Sequence, residues 1–184
     1  MNDFLTDLAL AVQKHEGWHP GSMSFRRNNP GNLRSAKTGK FLVFENYFKG
    51  FSELKYDLHM KIIGVAKSVL NYISRSGQHY ERLTFQTIIS IYAPSEDFNN
   101  PVSYCNALCI DPNLTKYKLT PSTPLSVLAM LIRGEISEVP HPPVYPTMTD
   151  EQRLKSAENA LKWASPIRAS MLRRLIDRLR KRLL

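Results

Sequence analysis

Glu16 stands where a helix should end, in the run His15-Glu16-Gly17-Trp18, and it is followed shortly by Arg27-Asn28-Asn29-Pro30-Gly31-Asn32-Leu33-Arg34. A carboxyl group beside an amide-rich loop is suited to cleaving a sugar chain: the acid protonates the glycosidic oxygen while amides hold hydroxyl and N-acetyl groups. Such a donor must keep its proton near neutral pH. The negative end of a helix macrodipole favours that, as does desolvation by a neighbour such as Trp18. The same residues also fit an exposed glutamate beside a C-cap glycine, and Asn-Pro-Gly is ordinary turn chemistry. On these residues alone both readings stay open.

A second polar loop, Tyr92-Ala93-Pro94-Ser95-Glu96-Asp97 with Asn99-Asn100-Pro101, either faces the first across a cleft or simply caps two helices. Glycosidases that hydrolyse add a second carboxylate. The candidates are Glu45, Glu96 and Asp97, none in a distinctive motif. Cys105 and Cys109 share one helix face, an arrangement poor for a disulfide, and no His cluster completes a zinc site. We therefore expect buried thiols, no metal and no cofactor.

The elements that must position these groups are mainly helical. Phe4, Leu5, Leu8, Ala9, Ala11 and Val12 recur at helical spacing after a possible cap at Asn2 or Asp3, predicting a helix to about Glu16. Residues 18–40 read as an irregular loop, and Phe41-Leu42-Val43-Phe44 as a short strand flooring a cleft. A second helix is expected from Gly50 or Ser52 through Leu54, Leu58, Ile62, Val69 and Leu70 to a break at Ser74 to Gly77. Others cover Thr84 to Tyr92, then a stretch from Pro101 or Val102 carrying Tyr104, Ala107 and Leu108, and finally Thr123 to Gly134 with Pro124 in its first turn.

The chain has 184 residues, enough for one domain with an appendage. Lys and Arg number 25 against 16 Asp and Glu, a net charge of +9, which points to an anionic partner without choosing among nucleic acid, acidic lipid and cell-wall polymer. Composition shifts at Val139-Pro140-His141-Pro142-Pro143-Val144-Tyr145-Pro146, a stiff linker. Beyond it Thr149 can cap a further helix. Met171, Leu172, Leu175, Ile176, Leu179 and Leu183 form a stripe opposed by Arg168, Arg173, Arg174, Arg178, Arg180, Lys181 and Arg182. That pattern suits an anionic membrane surface and equally a helix packed on another protein surface. Nucleic acid is a weaker third partner, because no aromatics interleave with the arginines. No apolar run is long enough to span a bilayer. The first residues lack the basic and apolar regions of a signal peptide, so the expectation is synthesis in the cytoplasm.

Taken together, Glu16-Gly17-Trp18, Gly21-Ser22, Arg26 to Leu33, the Phe41 to Phe44 segment and Tyr92-Ala93-Pro94 with Asn99-Asn100 resemble the lytic transglycosylases of the lysozyme-like superfamily, particularly those encoded by bacteriophages. The resemblance covers about residues 4–136. Its most specific part is Asn-Pro-Gly-Asn-Leu following a helix-end Glu. It implies a mostly α, lysozyme-like domain with a small β element, acting on the β-1,4 bond between N-acetylmuramic acid and N-acetylglucosamine in peptidoglycan. It further implies that Glu16 protonates the glycosidic oxygen and, as carboxylate, then helps the C6 hydroxyl close a 1,6-anhydro ring, with Asn32 and Tyr92 positioning the substrate and Asn29 and Asn99 as further sugar contacts.

The expected organisation is a catalytic domain over residues 1–137, a Pro-rich linker over 138–148 and a basic helical tail over 149–184. Peptidoglycan is the expected partner, at the bacterial cell wall, with an anionic membrane and other virion proteins as further partners. Competing readings are a muramidase that hydrolyses, and a virion or envelope component that binds peptidoglycan without cutting it.

Overall fold

A computed structural model describes residues 3–95 and 99–140, together with Glu158, Asp177 and Arg180. The chain divides into two units, Met1–Val139 and Pro140–Leu184. Within the described residues of the first unit the architecture is helical, as the periodicity predicts. Helix α1 (Phe4–His15) starts at Asp3, whose side chain accepts from the Thr6 N–H, and turns inward Phe4, Leu8, Ala9, Ala11 and Val12. Helix α2 (Met23–Arg26) follows an Ser22 cap, and α3 (Tyr47–Ile62) an Asn46 cap. Then come α4 (Lys67–Ser76), α5 (Phe85–Tyr92), α6 (Pro101–Cys109) and α7 (Leu125–Arg133). No helix among the described residues is long and apolar enough to cross a membrane.

One core joins them. Leu8 and Val12 of α1, Leu54, Leu58 and Ile62 of α3, Phe85, Ile88 and Ile89 of α5, Leu108 of α6 and Leu125, Leu128 and Leu131 of α7 are all buried. Each such side chain stabilises the fold by roughly 1.5–3 kcal/mol relative to exposure. At its centre Tyr117 meets Phe4 edge-on at 4.9 Å and donates its hydroxyl to Asp7. Helix α4 differs from the longer helices in that only Val69 is fully buried.

Several expectations need correction. The helix expected from residue 50 to the mid-seventies is two, α3 and α4. Its apolar pattern runs through the break, but Gly64 adopts a left-handed φ of +79° and the Tyr80 ring lies where its Cβ would be, 2.5 Å away, so the chain turns there. The four-residue α2 lies inside the region read as loop, nucleated by the Ser22 cap on the Phe25 N–H. Phe41 to Phe44 is not a strand: Arg34 and Phe41 form an isolated bridge, Leu42 N–H bonds Leu33 O at 2.8 Å, and by Phe44 the N–H has turned to Arg27 O. The ladder ends because Val43 stays exposed with nothing to pair against. Pro124 precedes α7 as its cap instead of entering the first turn.

Past residue 137 the first unit's packing continues. Val139 is buried and its N–H bonds Tyr117 O at 2.9 Å, so the linker cannot begin at 138. Cys105 is buried and Cys109 half-buried, both as free thiols.

Candidate active site

Helix α1 delivers Glu16 as its C-cap residue. The Glu16 N–H still bonds Val12 O at 2.9 Å, while Gly17 at φ +68° turns the chain out of the helix and lets the Trp18 N–H reach back to Gln13 O. The carboxyl group is thereby fixed to a rigid element and half-exposed, as a group that must meet a substrate should be.

The following loop is built by its asparagines. Asn28 and Asn32 take left-handed backbone conformations, φ +49° and +47°, which Asn tolerates better than other non-glycine residues. Asn29, fully buried, bonds through both ends of its amide: Oδ1 accepts from the Leu33 N–H at 2.8 Å, and Nδ2 donates to Leu33 O at 2.9 Å and Leu42 O at 3.0 Å. Asn28 Nδ2 similarly ties the loop to Phe44 O at 3.1 Å. Gly31 is required by close approach, because a Cβ there would lie 2.6 Å from Leu54 Cδ1 and 2.9 Å from the Tyr92 hydroxyl oxygen. That contact brings the loop onto α3 and lets the Tyr92 hydroxyl donate to Gly31 O.

The result is a cleft of about 230 Å³ walled by Glu16, Asn32, Arg34, Phe41, Tyr92 and Asn99. Each Glu16 oxygen receives one donor: Asn32 Nδ2 reaches Oε2 at 2.9 Å, and the Tyr104 hydroxyl reaches Oε1 at 2.8 Å. Two donors from different elements fix the plane of the carboxyl and leave its remaining lone pairs toward the cleft. Burial, then the nearby Glu16 carboxylate and its hydrogen bond, raise the Tyr104 phenol well above its ordinary value. Tyr92 is raised too, by burial first and then by Tyr104, Glu16 and Asp57. Both phenols thus remain neutral donors wherever carboxylates titrate. Behind Tyr92, the Lys61 ammonium lies 5.6 Å from its ring centroid and is ion-paired with Asp57.

The expected site residues fare unequally. Glu16, Asn32, Tyr92 and Asn99 come together, with Asn99 Nδ2 also donating to Pro94 O at 3.2 Å. Asn29 does not face the cleft: its amide is consumed inside the loop, so its expected sugar contact is corrected to a structural role. Tyr92 holds the loop through Gly31 as well as lining the wall. Glu45 is exposed and does not line the cleft, which removes it as a second carboxylate there. Asp97 and Glu96 lie outside the described residues, as do Arg173, Arg174, Arg178, Lys181 and Arg182. Arg180 pairs with Glu158 at 2.8 Å, so part of its charge is already offset.

Sequence reasoning missed Tyr104 and Arg34 as site residues and placed Phe41 at the cleft only as part of an expected strand. Arg34 and Phe41 belong together, the guanidinium lying 4.3 Å from the ring centroid. Tyr104 left a faint signal only: a phenol at helical spacing with Ala107 and Leu108, where an aliphatic residue would have sufficed for packing.

Comparison of the chain with known protein families, curated proteins and solved structures returned no match. Among the described residues no group of three His, Cys, Asp or Glu side chains is placed to hold a metal ion. Chemically the arrangement offers one oriented carboxyl able to give and take a proton, amides and a phenol around it, and an aromatic and cationic wall.

Proposed function

We propose that this chain is a peptidoglycan lytic transglycosylase with a lysozyme-like catalytic domain. The observation that carries the reading is the Glu16 carboxyl, clamped by Tyr104 and Asn32 in a cleft whose described walls hold no other carboxylate. In the first half-reaction Glu16 gives its proton to the glycosidic oxygen as the bond from C1 of N-acetylmuramic acid breaks. In the second, Glu16 as carboxylate takes the proton of the C6 hydroxyl, whose oxygen bonds to C1 and closes the 1,6-anhydro ring. The acid is thereby regenerated and no water is consumed, so one carboxyl suffices. Asn32 and Tyr104 hold that carboxyl, and Asn99, Arg34 and Phe41 contact the glycan.

The test is Glu16→Gln, which keeps the side chain's shape and removes the proton. Loss of cell-wall cleavage by about a thousandfold is expected, with circular dichroism and melting unchanged. Mass spectrometry of the products assigns the reaction: anhydro ends, lighter by one water than reducing ends, are expected from the wild type. Reducing ends would replace this reading with hydrolysis, and full activity of Glu16→Gln would remove Glu16 as the acid.

A further inference from the structure

Besides the Glu16 cleft, the first unit carries a larger hollow of about 520 Å³ between α4 and α5. On α4 it is lined by Ser68, Asn71, Tyr72 and Arg75, spaced i, i+3, i+4 and i+7 along a single helix face, and by Ser76, whose Oγ accepts from the Gln78 N–H at 3.3 Å. A face turned toward a neighbouring helix is normally apolar. Here it carries a hydroxyl, an amide, a phenol and a guanidinium, and among the described residues none of these four side chains has a hydrogen-bond or ion-pair partner. Tyr72 also packs against the core, whereas Ser68, Asn71 and Arg75 are exposed, which leaves their polar groups open to a ligand.

Opposite lie Ser90, Ile91 and Pro94. These alternate along the chain with Tyr92 and Ala93, which line the Glu16 cleft. Residues 90–94 therefore contribute side chains to both hollows, which lie on either side of this one segment. The groups present define its chemistry. An unpaired guanidinium grips a carboxylate with two parallel N–H donors. The Asn71 amide and the Ser68 hydroxyl match the donors and acceptors of a peptide backbone, the Ser90 hydroxyl, which donates to Gln86 O at 2.9 Å, adds an acceptor, and Tyr72, Ile91 and Pro94 suit small apolar side chains.

We propose that the α4–α5 groove binds the carboxylate-bearing peptide arm of the strand that occupies the Glu16 cleft, with Arg75 holding the carboxylate. This deepens the reading of the cleft as a peptidoglycan site and rests on it. It makes the enzyme selective for glycan still carrying its peptides.

Three probes test this on the full chain carrying Glu16→Gln, so that nothing is turned over: glycan strands with peptides, the same strands stripped of them, and the free peptide. Strands with peptides should bind about three- to tenfold more tightly than stripped ones, the range between an exposed ion pair and a charge-assisted bond in a groove. Adding Arg75→Ala should bring that ratio to about one, and Arg75→Lys should restore part of it. The free peptide should shift the amide resonances of Ser68, Asn71 and Arg75. An unchanged ratio in Arg75→Ala, or equal displacement of the peptide by inorganic phosphate, overturns the proposal. If the wild type cleaves stripped and intact strands alike and the ratio ignores Arg75, the groove assignment fails while the function stands. If no strand is cleaved yet the peptide still occupies the groove, the function fails and the groove stands.

Discussion

The Glu16 cleft and the α4–α5 groove share residues 90–94 as a wall, yet their polar side chains are disposed in contrary ways. In the cleft and the loop that supports it nearly every amide and hydroxyl is already engaged: Asn32 and Tyr104 with Glu16, Tyr92 with Gly31, Asn99 with Pro94 and, beneath the wall, Asn29 with Leu33 and Leu42. In the groove Ser68, Asn71, Tyr72 and Arg75 have no such partners among the described residues. Engagement fixes geometry before a substrate arrives, which is what proton transfer needs, since a small misplacement of a reacting group costs much of the rate. Unengaged groups exchange water for ligand and tolerate variation in what they bind. One segment of α5 and its following turn thus separates a region organised for chemistry from one organised for grip.

Paired amide deletions give the largest effect that breaks or sharpens this contrast. Asn29→Ala strips partners from the Leu33 N–H and from two carbonyls in a buried loop, with an expected cost of about 3 kcal/mol. Asn71→Ala removes an exposed amide that bonds nothing described and should change stability by less than about 0.5 kcal/mol. Urea denaturation measures both. Equal losses would mean that the groove, too, is held together by its polar groups, and the contrast would collapse.

Within the cleft the contrast is sharpened by Tyr104→Phe, which removes one hydroxyl and keeps the ring against His15 and Tyr92. Tyr104 is a positioning residue: it touches Glu16 and acts through it. The expected result is a roughly tenfold fall in kcat, the worth of one hydrogen bond to a charged group, with KM and melting temperature near wild type. A change confined to KM would show that the phenol binds glycan directly and does not orient the acid.

How much of this was legible in the sequence depended on the range of the interaction. The helices α1, α5 and α6 were readable because caps and periodicity act within a few residues, as with Thr84 bonding the Thr87 N–H or Asn100 bonding the Ser103 N–H. The break at Gly64 was hidden because Ile62, Ile63, Val65 and Ala66 continue the apolar pattern while the deciding contact comes from Tyr80, further along the chain. Glu16 and Asn32 were legible as a local pairing of helix end and loop. Asn29 and Asn32, chemically identical and in one motif, were not separable, because which amide turns inward depends on the carbonyl of Leu42. Tyr104 reaches Glu16 from 88 residues away, a distance at which no pattern of spacing carries information.

The smallest expected effect concerns what holds the cleft's supporting helix in place. Asp111, buried after α6, accepts from the Asn113 N–H at 2.9 Å and from Lys14 of α1 at 3.1 Å, so it ties the end of α6 to the helix that presents Glu16. Burial alone would raise its carboxyl, but the Asn113 and Lys14 donors outweigh it and hold the group below the ordinary carboxylate range. A carboxyl lowered in the folded state contributes stability above its unfolded value, near pH 4, and that contribution is lost as pH falls through the folded value. Asp111→Asn should therefore cost about 1 kcal/mol at pH 7, and the gap from wild type should close in melts below about pH 4. A gap that persists in acid would assign the loss to packing and not to charge. An Arg75 variant, lacking any described partner, should show no such pH-dependent gap, which extends the difference between the engaged and the unengaged region to their response to protons.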